Sequence, residues 1–363
     1  PTGYATAGEM QILSDSNNLV EFIDNPTNPI IAQPRAYFAN GLDSYASLNV
    51  LDVAGDALAG TGLHVFDGWD DFVRVAVPEY AQNGFDNAIL DYVVENNYCR
   101  AILRTPLGLT ASGAIDYRKC TGIYTGGVAI DDWRASMIMN DIEVVDEESG
   151  NTINIPAMPD VLALMTKKDN RFGAWASFSG IQNDAGIIRA TTGVDRLRNL
   201  GLTARLSDAN AVVAAQLNPV INRTRDGEQV TVAWGNRSLQ TANTLLKYDH
   251  VAELVTYIKR VVKPRLDRKL FLPNDIETWK DLFRDINGLL RFLQSQRAIR
   301  SYEYQGDQDV DRIADVSVNN LNDIDNGEYV FKIIIWPTTK MEQIELTLSI
   351  VDNTIGVELA NAA

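Results

Sequence analysis

Helix-like and strand-like patterns alternate along the chain from about residue 46 onward. The segment FDNAILDYVVENN (85–97) is typical of a helix, and the strand-like RAILR (100–104) follows it and closes at Pro106. Farther along, IEVVD and INI flank the polar turn EESGN, which predicts a hairpin, and VLALM begins the next element. This alternation predicts an α/β fold with mixed sheets flanked by helices.

The second half of the chain carries longer helical patterns. Ser207 is a suitable N-cap for a helix that continues to Leu217 and that Pro219 ends. The alternating QVTVAWG (229–235) predicts a strand. Apolar residues within 241–262 then predict a long helix that ends by Pro264.

The stretch FLPNDIETWKDLFRDINGLLRFL (271–293) begins like a buried strand and continues as an amphipathic helix. Lys280, Arg284 and Arg291 lie on the polar face of this helix, and we expect the opposite face to be buried. The apolar residues recur at three- and four-residue steps: Ile276, Trp279, Leu282, Phe283, Ile286, Leu289, Leu290 and Leu293.

Two strand patterns follow near the C-terminal end, EYVFKIIIWP (328–337) and EQIELTLSIVD (342–352), and we expect them to pair across PTTK. The second pattern can pair within its own domain, or it can pair with the sheet edge of a neighbouring subunit. One side of it is apolar and forms a candidate intersubunit strand, with Ile344, Leu346, Leu348 and Ile350.

The overall charge and its distribution limit the choice of partners. The chain of 363 residues has a net charge of −16, which disfavours nucleic acid and anionic membranes. Residues 241–304 hold 12 Lys and Arg against 8 Asp and Glu, whereas 305–363 hold 3 against 11. The basic segment is therefore a candidate docking surface for an acidic partner or for the acidic end of another copy, and a solvated helix face is the alternative.

The residue types that carry chemistry are sparse and scattered. His64 and His250 are the only histidines, and the sequence contains no GxSxG, HExxH, P-loop or GxGxxG motif. Cys99 and Cys120 lack CxxC spacing, so neither a disulfide framework nor a zinc site is expected. No apolar run approaches the ~20 residues that a membrane-spanning helix needs. We therefore expect no enzyme activity, cofactor, metal site or membrane insertion.

One acidic stretch partly matches a calcium-binding loop. In GDQDVDRIADV, three aspartates occupy the first, third and fifth ligand positions. Arg312 stands where the loop needs glycine, and Val318 stands where it needs a bidentate glutamate. The stretch is therefore interpreted as an acidic, solvated loop. The three aspartates are Asp307, Asp309 and Asp311.

Several segments, in this order and over about residues 38–363, resemble contractile tail sheath proteins of myovirus tails and related injection machines. DNRFGAW is similar to the family pattern R-T-D-x-x-R-G-x-W, LNPVINRTRDGEQVTVAWGNRSL is similar to N-P-I-R leading to V-W-G-A-R-T-L, and FLPND is similar to F-E-P-N-D. The matching positions are Asp169, Arg171, Gly173, Trp175, Asn218, Pro219, Trp234, Gly235, Pro273, Asn274 and Asp275. The chain is thereby identified as a distant member of the family, and we expect it to be an N-terminally truncated fragment.

The resemblance implies a division into three parts. Residues 1–45 would be the end of a variable inserted β-rich domain or loops. Residues 46–206 would form a subtilisin-like α/β domain without a protease site, and residues 207–363 would form the α/β C-terminal sheath domain. In the family this last domain contacts the inner tube.

The resemblance also implies a structural function. Sheath subunits form stacked hexameric rings in a helical polymer around a tail tube protein, and the baseplate triggers contraction. The expected partners are other copies, the tube, the baseplate and the tail terminator, in a virion assembled in the host cytoplasm. The cations of the helix 276–293 would face the tube or a neighbour.

Three alternatives remain open at this point. A sheath of a contractile secretion or toxin-delivery apparatus would have a similar sequence. A divergent α/β enzyme would hold His64 or His250 in a pocket beside a nucleophile. A ligand-binding module would be monodisperse.

Overall fold

The computed structural model describes residues 49–69, 73–181, 186–188, 206–305, 326–340, 348–351 and 358–361, and residues from Asn49 onward form one compact unit. The helices are α1 (Val50–Ala54), α2 (Asn83–Asn96), α3 (Ala111–Lys119), α4 (Met158–Phe172), α5 (Leu206–Ala214), α6 (Asp249–Asp267) and α7 (Ile276–Ser295). The strands are β1 (Arg74–Val75), β2 (Arg100–Arg104), β3 (Ala135–Met139), β4 (Asp141–Val145), β5 (Thr152–Pro156), β6 (Ile187–Ile188), β7 (Leu217–Arg225), β8 (Glu228–Ala233), β9 (Ile299–Gln305), β10 (Lys332–Pro337), β11 (Leu348–Val351) and β12 (Glu358–Asn361).

A six-stranded mixed sheet lies at the centre of this unit, in the order β1–β2–β3–β7–β8–β6. The first four strands are parallel, while β8 is antiparallel to both β7 and β6. Asp226 and Gly227, both with positive φ, form the tight turn between β7 and β8. The predicted α/β class, with a mixed sheet flanked by helices, is confirmed.

Helices cover both faces of the sheet because the strands are apolar on both sides. On one face, α2, α3 and α5 contribute Val93, Ala114 and Val212 to a core with the strands. On the other face, α4 contributes Val161 and Met165 to a second core, which the hairpin β4–β5 extends. Strands buried at every position, such as β3, are typical of a sheet covered on both faces.

A third core joins α6 and α7 to the hairpin β9–β10. The apolar face of α7 is buried as predicted, including Trp279, Ile286 and Leu290. Asp275 caps this helix, and its Oδ1 accepts a hydrogen bond from the Thr278 backbone N–H at 3.0 Å. Aromatic stacking adds to the core, with Trp279 lying parallel to Tyr329 at 5.1 Å between ring centroids.

Two predictions about where elements begin and end are wrong. The residues before α7 form a turn rather than a buried strand, and Phe271 is fully exposed with φ 65°. Helix α5 ends at Ala214, because Gln216 adopts a positive φ, and Pro219 lies within β7. The carbonyl of Pro219 still accepts a hydrogen bond from Trp234 N at 2.7 Å, so the strand loses only the N–H that proline lacks.

Helix α6 also differs from its predicted range of 241–262. It begins at Asp249 and continues through Pro264 to Asp267. A proline in the last turn removes one helical hydrogen bond and leaves the preceding turns intact, which explains why the helix does not stop there.

The predicted pairing of 328–337 with 342–352 is wrong within the described residues. Strand β10 pairs with β9, in the register Ile335 opposite Tyr302, and β11 pairs with β12, in the register Ile350 opposite Leu359. The inward side chains of β9 and β10 explain the first pairing, because Tyr302, Tyr304, Ile333 and Ile335 pack against the core of α6 and α7.

Strands β7 and β8 lie after the boundary predicted at residue 206, yet both belong to the central sheet, where β7 pairs with β3 and β8 pairs with β7. The three-part division therefore stays a prediction. No helix within the described ranges is both long and apolar enough to cross a membrane.

Candidate functional site

Six charged side chains meet between the central sheet and helices α4 and α6, and we call them the ion cluster: Arg74, Arg100, Lys168, Asp169, Asp249 and Glu253. Arg100 lies at its centre and is fully buried on β2. Its Nη1 donates to Asp249 Oδ1 at 2.7 Å and to Glu253 Oε1 at 3.0 Å. Both acceptors lie one turn apart on α6, so the first turns of that helix are fixed to the sheet.

Arg74 on β1 carries the cluster to α4. Its Nε and Nη2 donate to the two carboxylate oxygens of Glu253, each at 3.0 Å, and Nη2 also lies 2.7 Å from Asp169 Oδ2. Lys168 Nζ lies 2.8 Å from Asp169 Oδ1 and donates to the carbonyl of Ala174 at 3.0 Å. Three cations thus balance three anions, which is the condition under which buried charges are tolerated.

The electrostatics of the cluster favour the charged forms of Glu253 and Arg74. Burial would raise the pKa of Glu253, but the nearby Arg74, Arg100 and Lys168 hold that pKa down at about 2. Burial would likewise lower the pKa of Arg74, and the carboxylates of Glu253 and Asp169 raise it instead. The cluster holds equal numbers of cations and anions and acts as an electrostatic joint between β1, β2, α4 and α6.

The matched residues of the DNRFGAW segment close the end of α4 beside this cluster. Gly173 ends the helix at φ 90°, where a Cβ would stand 2.4 Å from the Trp175 ring. Trp175 is buried and makes edge contacts with Tyr257 and Phe292, so it joins α4 to α6 and α7. Arg171 lies over the ring of Phe172 at 4.9 Å.

The matched residues Asn218 and Gly235 form a second joint. Asn218 is buried on β7, and its Nδ2 donates to the carbonyls of Met137 on β3 and Arg237. Its Oδ1 accepts from Arg237 N at 2.8 Å. Trp234, the residue before Gly235, lies under the guanidinium of Arg223 at 4.4 Å. The Asn218 side-chain amide therefore joins β7 to β3 and to the loop that follows β8.

The matched residues before α7 position its start. Asn274 Oδ1 accepts from Trp279 Nε1 at 2.8 Å, and Asn274 Nδ2 donates to the carbonyl of Glu328. Asp275 is the cap described above, and Pro273 is exposed in the preceding turn. The FLPND segment thus fixes α7 against the chain that leads into β10.

The cations predicted on the outer face of α7 point away from its core, and two of them have partners on the same helix. Lys280 Nζ lies 3.7 Å from Glu277 Oε1, and Arg284 pairs with Asp281. Arg291 is exposed. Exposed pairs of this kind contribute about 0–1 kcal/mol each, so Lys280 and Arg284 can exchange these partners for a more acidic surface at little cost.

Of the candidate intersubunit strand, Leu348 and Ile350 lie on β11, opposite Asn361 and Leu359 of β12. Ile344 and Leu346 fall outside the described residues, as do Asp307, Asp309 and Asp311.

The two histidines have different surroundings. His64 contacts the Asp67 carboxylate at 2.8 Å and the Tyr92 ring, beside a hollow whose described lining includes Asp91 and Glu95 but no Ser, Thr or Cys. His250 is buried at the start of α6, where Nδ1 contacts Asn236 Nδ2 at 2.7 Å and Nε2 contacts the Thr338 carbonyl at 3.1 Å. Within the described part of the chain, no three His, Cys, Asp or Glu side chains are grouped to hold a metal ion.

Comparison with known proteins gives a match at the level of the fold. No protein-family model matches the chain, and no curated protein sequence matches it. A chain of the anti-feeding prophage baseplate is similar in structure, with a TM-score of 0.59 and 16% identity over 82% of this chain and 72% of that one. A chain of the contracted helical sheath of the anti-feeding prophage gives a TM-score of 0.58 with 16% identity, over 78% of this chain and 71% of that one.

A third similar structure is a chain of the contracted sheath complex of an extracellular contractile injection system, PVC, with a TM-score of 0.56 and 18% identity over 73% of this chain and 67% of that one. These likenesses cover most of the chain and include two sheath assemblies. The protein therefore has the fold of contractile sheath proteins, and the resemblance read from the sequence is confirmed at that level.

The ion cluster is the part of the site that the sequence interpretation missed. RAILR was correctly predicted as a strand, but Arg100 and Arg104, at its two ends, are both buried. An arginine within a buried strand requires acidic or carbonyl partners elsewhere in the fold, so the sequence could have predicted that Arg100 has a partner. The sequence could not identify that partner, because Asp249 lies 149 residues away.

Proposed function

We propose that the chain is a structural, non-enzymatic subunit of a contractile sheath. In this proposal it polymerises as stacked hexameric rings around a tail tube and contracts to drive the tube through an envelope. The observation that carries the proposal is the fold shared with chains of two contracted sheath assemblies over 78% and 73% of this chain.

The interior of the subunit suits this role. A sheath subunit has to move as a rigid body while its contacts with neighbours rearrange. Arg100 and Trp175 join the sheet to α6 and α7 through buried contacts, whereas the cations of α7 form weak pairs at the surface. Strong bonds within the subunit and weak ones on its surface favour sliding between subunits over deformation within them.

The arrangement in polymers extends the proposal. The strand that includes Leu348 and Ile350 is the candidate for pairing between subunits, and in this chain β11 pairs with β12 at the C-terminal end. Such a local hairpin of four-residue strands is marginal alone and can be exchanged for the same pairing with another copy. Baseplate and tail terminator are the proposed partners at the two ends of the polymer.

The test is electron microscopy of the purified chain and of the product of its complete reading frame, each at high concentration with and without the tube protein. Striated tubes are the expected result. A matched variant that lacks residues 342–363 should remain folded, with an unchanged melting temperature, and should form no tubes. Monodisperse particles from every sample, at every concentration, would refute the sheath function.

A sheath of a toxin-delivery or secretion apparatus is the second candidate, since the similar PVC structure is part of an extracellular contractile injection system. Particles purified from the native source separate the two functions. A DNA-filled head joined to the tail would establish a virion component, and headless sheathed particles would establish the injection apparatus.

A further inference from the structure

A polar hollow of about 220 Å³ lies between the end of α5 and the loop that follows β8. It is on a different part of the surface from the cations of α7. Its polar lining consists of Gln216, Arg237, Gln240, Thr241, Asn243 and Lys247. Two of these side chains are cationic and the others carry amide or hydroxyl groups, which is a donor-rich composition.

The two cations of the hollow contact the same aromatic ring. The Arg237 guanidinium lies 4.9 Å from the centroid of the Tyr248 ring, and Lys247 Nζ lies 5.1 Å from the same centroid. Lys247 Nζ also donates to Asn243 Oδ1 at 2.7 Å, which fixes the end of its side chain. Because both cations line the hollow, each attracts an anion that enters it.

A third cation stands behind the wall of the hollow. Arg118 is only 4% exposed, and its Nη2 donates to the Leu239 carbonyl at 2.7 Å and to Gln216 Oε1 at 3.5 Å. Its Nε has no hydrogen-bond partner among the described residues. The nearby carboxylate of Asp131 accepts hydrogen bonds from the backbone N–H of Thr241 at 2.7 Å and from the Thr241 hydroxyl. The carboxylate of Asp131 offsets one of the three cations Arg118, Arg237 and Lys247, so positive charge remains in excess among these four groups.

We propose that this hollow binds the carboxylates of GDQDVD (306–311) from a second copy of the chain. Acidic residues alternate in this segment. Every second side chain of an extended peptide points the same way, about 6.6–6.8 Å apart, so successive aspartates can enter one hollow together. Residues 305–363 hold 3 Lys and Arg against 11 Asp and Glu, which makes this end of the chain complementary in charge. That the ligand comes from another copy rests on the proposed function.

The direct test is fluorescence polarisation of a labelled peptide with the sequence of residues 305–316 against the whole chain at low salt. A second peptide carries Asp307→Asn, Asp309→Asn and Asp311→Asn. The chain is used in its natural form, as Arg237→Gln with Lys247→Gln, and as Arg300→Gln with Lys332→Gln. The last pair removes the same charge from exposed residues of the hairpin β9–β10.

We expect the acidic peptide to bind the natural chain and the hairpin variant with affinities within twofold of each other. Binding should fall at least tenfold for Arg237→Gln with Lys247→Gln, and also for the asparagine peptide. Equal loss in both variants, or equal binding of both peptides, would overturn the proposal. Binding of succinate in this hollow without binding of the acidic peptide would also overturn it, since the ligand would then be a free dicarboxylate.

Assembly is scored separately by electron microscopy. Peptide binding at the hollow in a chain that never polymerises would remove the proposed function and leave a carboxylate site. If Arg237→Gln with Lys247→Gln lost peptide binding but still formed normal tubes, assembly would not use this hollow. That result would remove this inference and leave the proposed function.

Discussion

The amide of Asn218 lies where a side chain at position 235 would have to be. A Cβ built on Gly235 would stand 2.8 Å from Asn218 Oδ1 and 2.9 Å from its Cα, and Gly235 has φ 143°. Glycine is required here for two reasons, because the backbone conformation disfavours other residues and the neighbouring strand leaves no room.

Gly235→Ala should therefore destabilise the chain by on the order of 2 kcal/mol, as strained positions of this kind do. Gly288→Ala is the control, because no atom lies within 4 Å of a Cβ at that position in α7. Alanine is favoured over glycine within a helix, so this control should gain about 0.5–1 kcal/mol. Urea unfolding measures both, and equal stability of the two variants would contradict the argument.

Arg100→Gln should cost about 3–5 kcal/mol, because it leaves Asp249 and Glu253 buried with part of their positive partner removed. Arg284→Gln removes the same charge from an exposed pair and should change stability by about 0–1 kcal/mol. The midpoints of urea unfolding provide the comparison. A loss of under about 1 kcal/mol for Arg100→Gln would mean that the cluster contributes little to the joint.

Asp86 should make the chain less stable as the pH rises towards neutrality. Burial raises the pKa of this carboxyl to about 7, although the Tyr117 hydroxyl donates to it at 2.6 Å. In the unfolded chain its pKa is about 3.9, so the folded state holds a proton that the unfolded state has lost. The resulting stability is complete below pH ~4 and is lost as the pH rises through 7, with a slope of at most about 1.4 kcal/mol per unit.

Asp86→Asn should flatten this dependence between pH 5 and pH 8, measured by urea unfolding at each pH. Asp91→Asn, an exposed change on the same helix, should leave the natural slope in place. If the two variants gave the same profile, Asp86 would not be the source of the dependence.

His250 should act in the opposite direction. Burial lowers its pKa to about 4, whereas an unfolded histidine titrates near 6.5. The stability that this difference contributes is complete above pH ~6.5 and is lost as the pH falls through 4. His250→Gln in the Asp86→Asn background should reduce the loss of stability between pH 6.5 and pH 4, and an unchanged loss would assign it to other groups.

Lys280→Gln, Arg284→Gln and Arg291→Gln together should weaken co-assembly with an acidic tube if α7 faces it. Glu277→Gln with Asp281→Asn is the matched control, because it frees the same cations from their partners on the helix and should not weaken assembly. Co-sedimentation with tubes at several salt concentrations measures the effect. Tube binding that survives loss of all three cations would rule out this face.

Local sequence signals predicted the elements well wherever local chemistry decides them. The helix of α7, the strand RAILR and the hairpin β4–β5 follow from periodicity and turn residues alone. Pairing between distant segments did not follow, because β9 and β10 are chosen by the aromatic side chains that face α7, and no local pattern encodes that choice. The sequence pattern also predicted that Pro219 ends a helix. In the structure Pro219 lies in a strand, which tolerates it because its carbonyl still accepts a hydrogen bond.

The candidate site shows the same division. The family resemblance gave the positions of Asn218 and Gly235, but their contacts with distant segments appeared only in the structure. The ion cluster joins residues of β1, β2, α4 and α6 whose charges become partners only when the sheet and helices are packed. A buried arginine can thus be recognised from sequence as needing a partner before the partner can be named.

Burial gives the ion cluster a different response to dissolved ions from that of the surface pairs. Exposed charges separated by more than about 8 Å are largely screened at 0.15 M ionic strength, whereas buried pairs are screened much less. Arg100 and its two carboxylates are 0–1% exposed, and Arg284 and Asp281 are 68% and 51% exposed. In the proposed sheath, concentrated salt should therefore weaken contacts that copies make through exposed charges, while each copy keeps its own sheet and helices joined.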